Sequence, residues 1–544
     1  MASSRCQTSL TGFVATLSLV MLAGPDTSHA QITDITSSGL GTEVSIPTTL
    51  PNGAINYDIT GGSRPGNGPN LFHSFGEFSV GNNNIANFLN ETNMPTENIL
   101  SRVTGGNPSN IFGTLQTTNF GAANLYLINP AGVIFGPTAE LNVGGSFAAS
   151  TADYLKMTDG AKFYADPAQP TVMSIAPVAA FGFTNPRPAG IAVQGSSLQV
   201  PTDQSLSLVG GDITVSAGSL TSGRINLVSA ASPGEVILNA IGAQSGMDTS
   251  TFTHLGEIVI TDTLLAADGN GGEMVVPVVL RGGRLTVDNS NILVRDLESD
   301  PNSSSPAVDI NVTGDASLVG TTVSVKDNML GGGFFTPNSI NLKAGNDLIL
   351  RNSTVAIESS QVIGGDIRLS APILIRIVDS TLTTSGGGQA GFFGGNIEID
   401  PQLVVIQNSQ LLARNFSLVT EVLLIDFNTR LVFSDGQKFN ISFVPEVLSG
   451  YLATPNLAYS QPALSGDRCA ADPTGQFSSF VQAGRDGVPQ VPGALSPSPL
   501  SFLDTLTSGS VGSQVPNWAA ARLGLNFVSA DDPARIRFHS ACRS

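Results

Sequence analysis

Two short markers advance in step along this chain from about residue 190 onward, and few architectures allow that. One is a polar turn running into a strand: Asp288-Asn289-Ser290-Asn291-Ile292, Val319-Gly320-Thr321-Thr322-Val323, Arg351-Asn352-Ser353-Thr354-Val355, Val378-Asp379-Ser380-Thr381-Leu382 and Gln407-Asn408-Ser409-Gln410-Leu411. Its third residues stand 31, 32, 27 and 29 positions apart. The other is a small turn followed by alternating apolar and polar residues, as in Gly211-Asp212-Ile213, Gly223-Arg224-Ile225, Gly365-Asp366-Ile367 and Gly395-Asn396-Ile397. Within this set Ile310, Ile340, Ile367 and Ile397 step by 30, 27 and 30.

A shared period near 29 means one supersecondary unit per repeat. The unit holds three short alternating strands and no helical pattern. A leucine-rich repeat needs its Leu/Asn consensus, and a propeller blade is longer, at roughly 40 residues. The reading is all-β: a right-handed parallel β-helix, a solenoid whose coils stack at about 4.8 Å and share an apolar interior. Gly, Asn, Asp and Ser at the corners take the positive φ that tight bends require. At about 14 coils the rod is expected to be roughly 70 Å long. A β-sandwich is the alternative, but its strands would not hold two phase-locked markers.

Residues 1–30 read as a secretory signal peptide. Arg5 precedes an apolar stretch from Leu10 to Ala23, and Ser28-His29-Ala30 offers small residues for cleavage. The stretch is too short to span a bilayer. Residues 31–165 read as an N-terminal domain, 166–435 as the β-helix, and 436–544 as a loop-rich, Pro-containing tail. Cys6 leaves with the signal, so Cys469 and Cys542 remain as a possible disulfide in an oxidising compartment.

The N-terminal domain carries three informative segments. Asn70-Leu71-Phe72-His73-Ser74-Phe75-Gly76-Glu77-Phe78-Ser79-Val80 is read as an aromatic plug, with Phe72, Phe75 and Phe78 capping the open end of the solenoid. Ile99 to Gly106 includes Arg102-Val103-Thr104-Gly105-Gly106. Asn124 to Gly136 runs a strand into the turn Asn129-Pro130-Ala131-Gly132-Val133, with Pro130 setting φ and Gly132 at the permissive fourth position.

On these residues, with Gly144-Gly145-Ser146-Phe147, the chain resembles the secretion domain of filamentous-haemagglutinin-like exoproteins, the passengers of two-partner secretion. Asn129 to Val133 matches that family's Asn-Pro-Asn-Gly-Ile type motif with Ala and Val variants. The family's Asn-Pro-Asn-Leu motif has only Asn107-Pro108-Ser109-Asn110 as a loose counterpart. The resemblance implies passage through the periplasm unfolded and recognition by the POTRA domains of an outer-membrane β-barrel transporter. It also implies a secreted or cell-surface location, an adhesin-like role, and host, cell-surface or glycan receptors.

Chemistry is sparse. Charged residues make up 12% of the chain and its net charge is −18, without a Lys/Arg cluster, which argues against nucleic-acid binding. His73, His254 and His539 are scattered, and neither a metal set nor a cofactor motif is read. Asp268-Gly269-Asn270-Gly271-Gly272 reads as a bare turn rather than a Ca²⁺ loop. The rival function is a β-helical polysaccharide lyase or hydrolase, with Asp309, Asp366, Glu398 and Arg368 as candidates on one solvated face. A structural extracellular matrix protein is a third reading. The expectation is a non-enzymatic exoprotein.

Overall fold

A computed structural model describes residues 32–238, 247–268, 277–295, 306–327, 339–359, 365–386 and 395–415, with short strands at 425–427, 430–432 and 440–441. The expected signal peptide, Gly269 to Gly272, and Cys469 and Cys542 lie outside the described residues. Among those residues the regular structure is all β apart from one 3-10 turn, Pro65–Asn67. The chain winds as a parallel β-helix. Its first face is a 13-stranded sheet and its second an 11-stranded sheet; a 6-stranded and then a 9-stranded sheet form the third.

Stacking follows from the alternation. Along the inner side of the first face Leu227, Leu280, Ile310, Leu342, Leu369 and Ile399 lie one above another in register. All are essentially without solvent exposure. Register corrects one marker. Ile340 sits over Val308, and Ile310 sits under Leu342. A two-residue slip keeps a side chain on the same face, so the alternation alone could not expose it. The Gly-led units also separate: Ile213 starts a strand of the second face, whereas Ile225, Ile367 and Ile397 belong to the first.

The polar-turn marker is one corner of the helix, between second and third faces. Asn289, Asn352, Asp379 and Asn408 there have φ of 46°, 49°, 50° and 45°. The following hydroxyl residues are buried and bonded from coil to coil. Ser353 N donates to Ser380 Oγ at 3.0 Å, and Ser380 N to Ser409 Oγ at 3.1 Å. Each serine also donates to a carbonyl two residues back, Ser380 to Val378 at 2.7 Å and Ser409 to Gln407 at 2.7 Å. The short polar side chain satisfies a backbone amide that the tight bend leaves unpaired.

Among the described residues the first face has 13 strands, one of which, Asp34–Gly39, runs antiparallel to Asn70–Ser79, so 12 coils are described against the 14 expected of the whole chain. Two excursions take chain out of the coils. Strands within residues 154–183, with Gly234–Leu238 and Met247–Asp248, form a five-stranded antiparallel sheet. It lies over the outer side of the first face and buries Phe72, Leu100, Ile128, Val209, Val228 and Val279 in a second apolar cluster with Leu155, Phe163 and Phe181. The three helical faces pass through residue 165 without a break, because Phe147–Ser150 and Ser205–Gly210 pair directly across the excursion. Coils also continue past 435, where Gln410 pairs with Asn440.

Candidate functional site

The turn at Asn129 is the corner where the first face passes into the second. Gly132 N donates to Asn129 O at 3.0 Å, and Ala131 N to Asn129 Oδ1 at 2.9 Å. Gly132 has φ +123°, a region open to glycine. The side chain of Asn129 has no solvent exposure. Its Nδ2 donates to Asn107 O and to Ser109 Oγ, both at 3.0 Å. Asn107-Pro108-Ser109-Asn110, the loose counterpart of the second motif, therefore sits directly against the first. Ser109 N in turn donates to Gly132 O at 3.0 Å. Asn129 thus locks one coil onto its predecessor through its amide nitrogen, while its amide oxygen closes its own turn. Val133 pairs with Ile191 in the next coil. Pro188-Ala189-Gly190-Ile191 repeats the pattern Pro130-Ala131-Gly132-Val133, an internal signal that the corner returns after the excursion.

The three phenylalanines divide. Phe75 and Phe78 point into the helix, with ring centroids 4.8 Å apart, and pack with Phe88. Ile35 of the antiparallel first strand pairs with Phe78. Phe72 points out of the helix, 4.9 Å edge-on from Phe163 of the outer sheet. Side chains alternate along a strand, so Phe72 and Phe75 must oppose each other. A β-bulge lets Phe75 and Phe78 share a side, since Ile35 and Ser37 pair with Phe78 and Phe75.

Arg102 joins the outer sheet to the coils. It is 6% exposed, donates from Nε to Ser74 Oγ at 2.9 Å and from Nη1 to Tyr164 O at 2.7 Å, and lies 5.2 Å from the Phe163 ring centre. Burial lowers its pKa. A Cβ on Gly105 would come within 2.2 Å of Gly76 O, and one on Gly144 within 2.1 Å of Gly121 O. A side chain is excluded at these glycines because the preceding coil's backbone passes there. On the outer sheet, Glu235 accepts from Tyr154 Oη at 2.8 Å and Lys156 Nζ at 2.7 Å. Burial opposes ionisation of Glu235, but these donors outweigh it and its pKa falls. His73 is buried beside Phe75 and Phe88, and burial, then the charge of Arg64, pushes its pKa down to about 3.

Asp309, Arg368 and Glu398 share one outward row of the first face, with Asn341 between the first two. Asp309 is paired with Arg281, and Arg368 bridges Asp366 and Glu398. Asp309 and Glu398 are three strands apart, about 14 Å at the usual spacing, beyond the roughly 5–9.5 Å between glycosidase carboxylates. Asp268 is held by Arg295 at 2.8 Å. Among the described residues no group of three or more His, Cys, Asp or Glu gathers as a metal site.

The family model of the TPS secretion domain matches residues 32–276. Among solved structures the chain is similar to the HMW1 secretion domain from Haemophilus influenzae, at 14% identity over 74% of this chain and 97% of that one, with a TM-score of 0.40. No curated protein matches by sequence. The match ends at Val276, past the excursion, and takes in the Asn129 corner, Arg102 and the first strands of the outer sheet. Residues 32–276 are a TPS secretion domain, and the chain is a two-partner secretion exoprotein that carries it towards its N-terminal end.

Proposed function

We propose that the TPS domain is read by the POTRA domains of an outer-membrane β-barrel transporter while the chain is still unfolded, and that the coils stack after passage. The observation carrying this reading is the burial of Asn129: with its amide bonded to Asn107, Ser109 and Ala131, the folded domain presents none of that side chain to a partner. A motif that acts in recognition must act before this corner closes. Closure then supplies a reason not to slide back, since each coil's edge is satisfied by the next.

The exported protein is secreted or held at the cell surface and works without catalysis, as an adhesin-like β-helix facing host, cell-surface or glycan receptors. The outward row at Asp309, Arg368 and Glu398 fits a solvated, ion-paired face better than a carboxylate pair. The test is the fraction of protein reaching the medium with and without the transporter, for the native chain and for Asn129→Ala and Pro130→Ala. The reading expects export to need the transporter and to fall in both variants. Export unaffected by any of these changes would overturn it.

A further inference from the structure

Beyond the edge of the outer sheet, near the start of the first-face strands, lies a half-open cavity of about 180 Å³. Tyr126 and Phe181 form its aromatic part, and Ser205, Ser207 and Asn226 bring hydroxyls and an amide. Arg224 is the one charged residue among its lining. It is half-buried, and it differs from the two fully buried arginines of this face. Arg102 is bonded to Ser74 and Tyr164 and stacked on Phe163. Arg281 is paired with Asp309. Arg224 has no ion-pair partner among the described residues, and its Nε is buried without a hydrogen-bond acceptor. Native structures rarely bury a donor unpaired unless something else meets it. Burial also lowers its pKa, as expected for a cation without a counter-charge.

We infer that this cavity binds a single sugar ring bearing a carboxylate, with the Arg224 guanidinium pairing the carboxylate. A fixed positive charge on a planar fork selects a carboxylate, which it can engage bidentately. Hydroxyl and amide groups beside aromatic faces suit a ring that has both hydroxyls and an apolar side. The volume, below the roughly 300–1,000 Å³ of pockets for drug-sized ligands, limits the occupant to one ring rather than a chain. The site stands apart from Asn129 and does not rest on the export reading: binding is measured on purified protein, and export can fail without affecting it.

The test is isothermal titration of the purified, folded chain with D-galacturonate, using D-galactose as the neutral comparison and sodium sulfate as a plain anion. Saturable galacturonate binding is expected, at least about tenfold tighter than galactose, the factor that one charge-assisted hydrogen bond provides. Arg224→Gln should lose a similar factor. Ser205→Trp, which fills the cavity from a half-buried position, should abolish binding with an unchanged circular dichroism spectrum, and it decides the matter should Arg224→Gln not fold. No saturable response, equal binding of galactose, full binding by Arg224→Gln, or full binding by Ser205→Trp would each overturn the inference. Sulfate binding as tightly as galacturonate would also overturn it, by reducing the site to one for a simple anion.

Discussion

Strands of the first face differ before and after residue 276. In the TPS domain they are apolar on both sides, as in Ile99-Leu100, Leu208-Val209 and Leu227-Val228. Past Val278-Val279-Leu280, the last strand the outer cluster reaches, they alternate cleanly, as in Ile367-Arg368-Leu369 and Ile397-Glu398-Ile399. The cause is the outer sheet, which turns Leu100, Val209 and Val228 into members of a second core. Continuous apolar runs mark strands covered on both faces, and alternation marks strands with one wet face. The fastenings differ accordingly. Single contacts such as Arg102 and Asn129 join unlike pieces in the TPS domain, whereas the later coils repeat one small device, the buried serine at a positive-φ corner.

The contrast predicts large, spreading losses in the first region and small, local ones in the second. Phe75→Ala should cost about 3–5 kcal/mol, the usual range for a buried phenylalanine, and hydrogen exchange should report it across the first coils. Phe72→Ala should instead release residues 154–183 and leave the helix interior protected. Uniform loss of protection in both variants would erase the distinction between the two cores.

Next in size is a pH effect. His73 is held neutral in the folded protein with a pKa near 3, whereas in the unfolded chain it takes a proton near 6.5. Stability is therefore full above pH 6.5 and falls as pH drops through the window between those values, by about 2–3 kcal/mol at pH 4.5. Denaturant melts should show that drop in the native protein and a shallower one in His73→Gln; parallel curves would contradict the assignment.

Asn129→Ala removes three hydrogen bonds and leaves buried partners unpaired, for a loss of about 2–3 kcal/mol in urea melts. Smallest is Ser380→Ala, which takes the acceptor from Ser353 N. It should cost about 1–2 kcal/mol, and exchange should increase only in neighbouring coils, as a solenoid with nearest-neighbour coupling requires. A loss spreading back to the TPS domain would show that the two regions are one cooperative unit.

Much of this was legible. The Ser290, Thr321, Ser353, Ser380 and Ser409 marker is one physical corner, and its spacing carried the period faithfully because a left-handed bend tolerates few residues. Register was not legible at Ile310, where alternation looks the same after a slip of two. The outer sheet was hidden because its strands come from two separated stretches, although the apolar doublets and the repeated Pro-Ala-Gly were there to be read. At the Asn129 corner the turn was readable from Pro130 and Gly132, but not its burial, since only the neighbouring coil brings Asn107 and Ser109 against it. Arg102 looked like one residue of a motif; its role depends on Phe163 and Tyr164, more than sixty residues away.

On the proposed route, the Asn129 motif is read in the unfolded chain. Asn129→Ala and Ser109→Ala both break the bond between Asn129 Nδ2 and Ser109 Oγ, but only the first alters the motif. Export through the transporter should be measured for both, together with a Leu125→Ala variant, and plotted against each variant's measured stability. Asn129→Ala should fall far below the line through the other two. If all three lie on one line, the motif acts only by holding coils together, and recognition before folding is wrong.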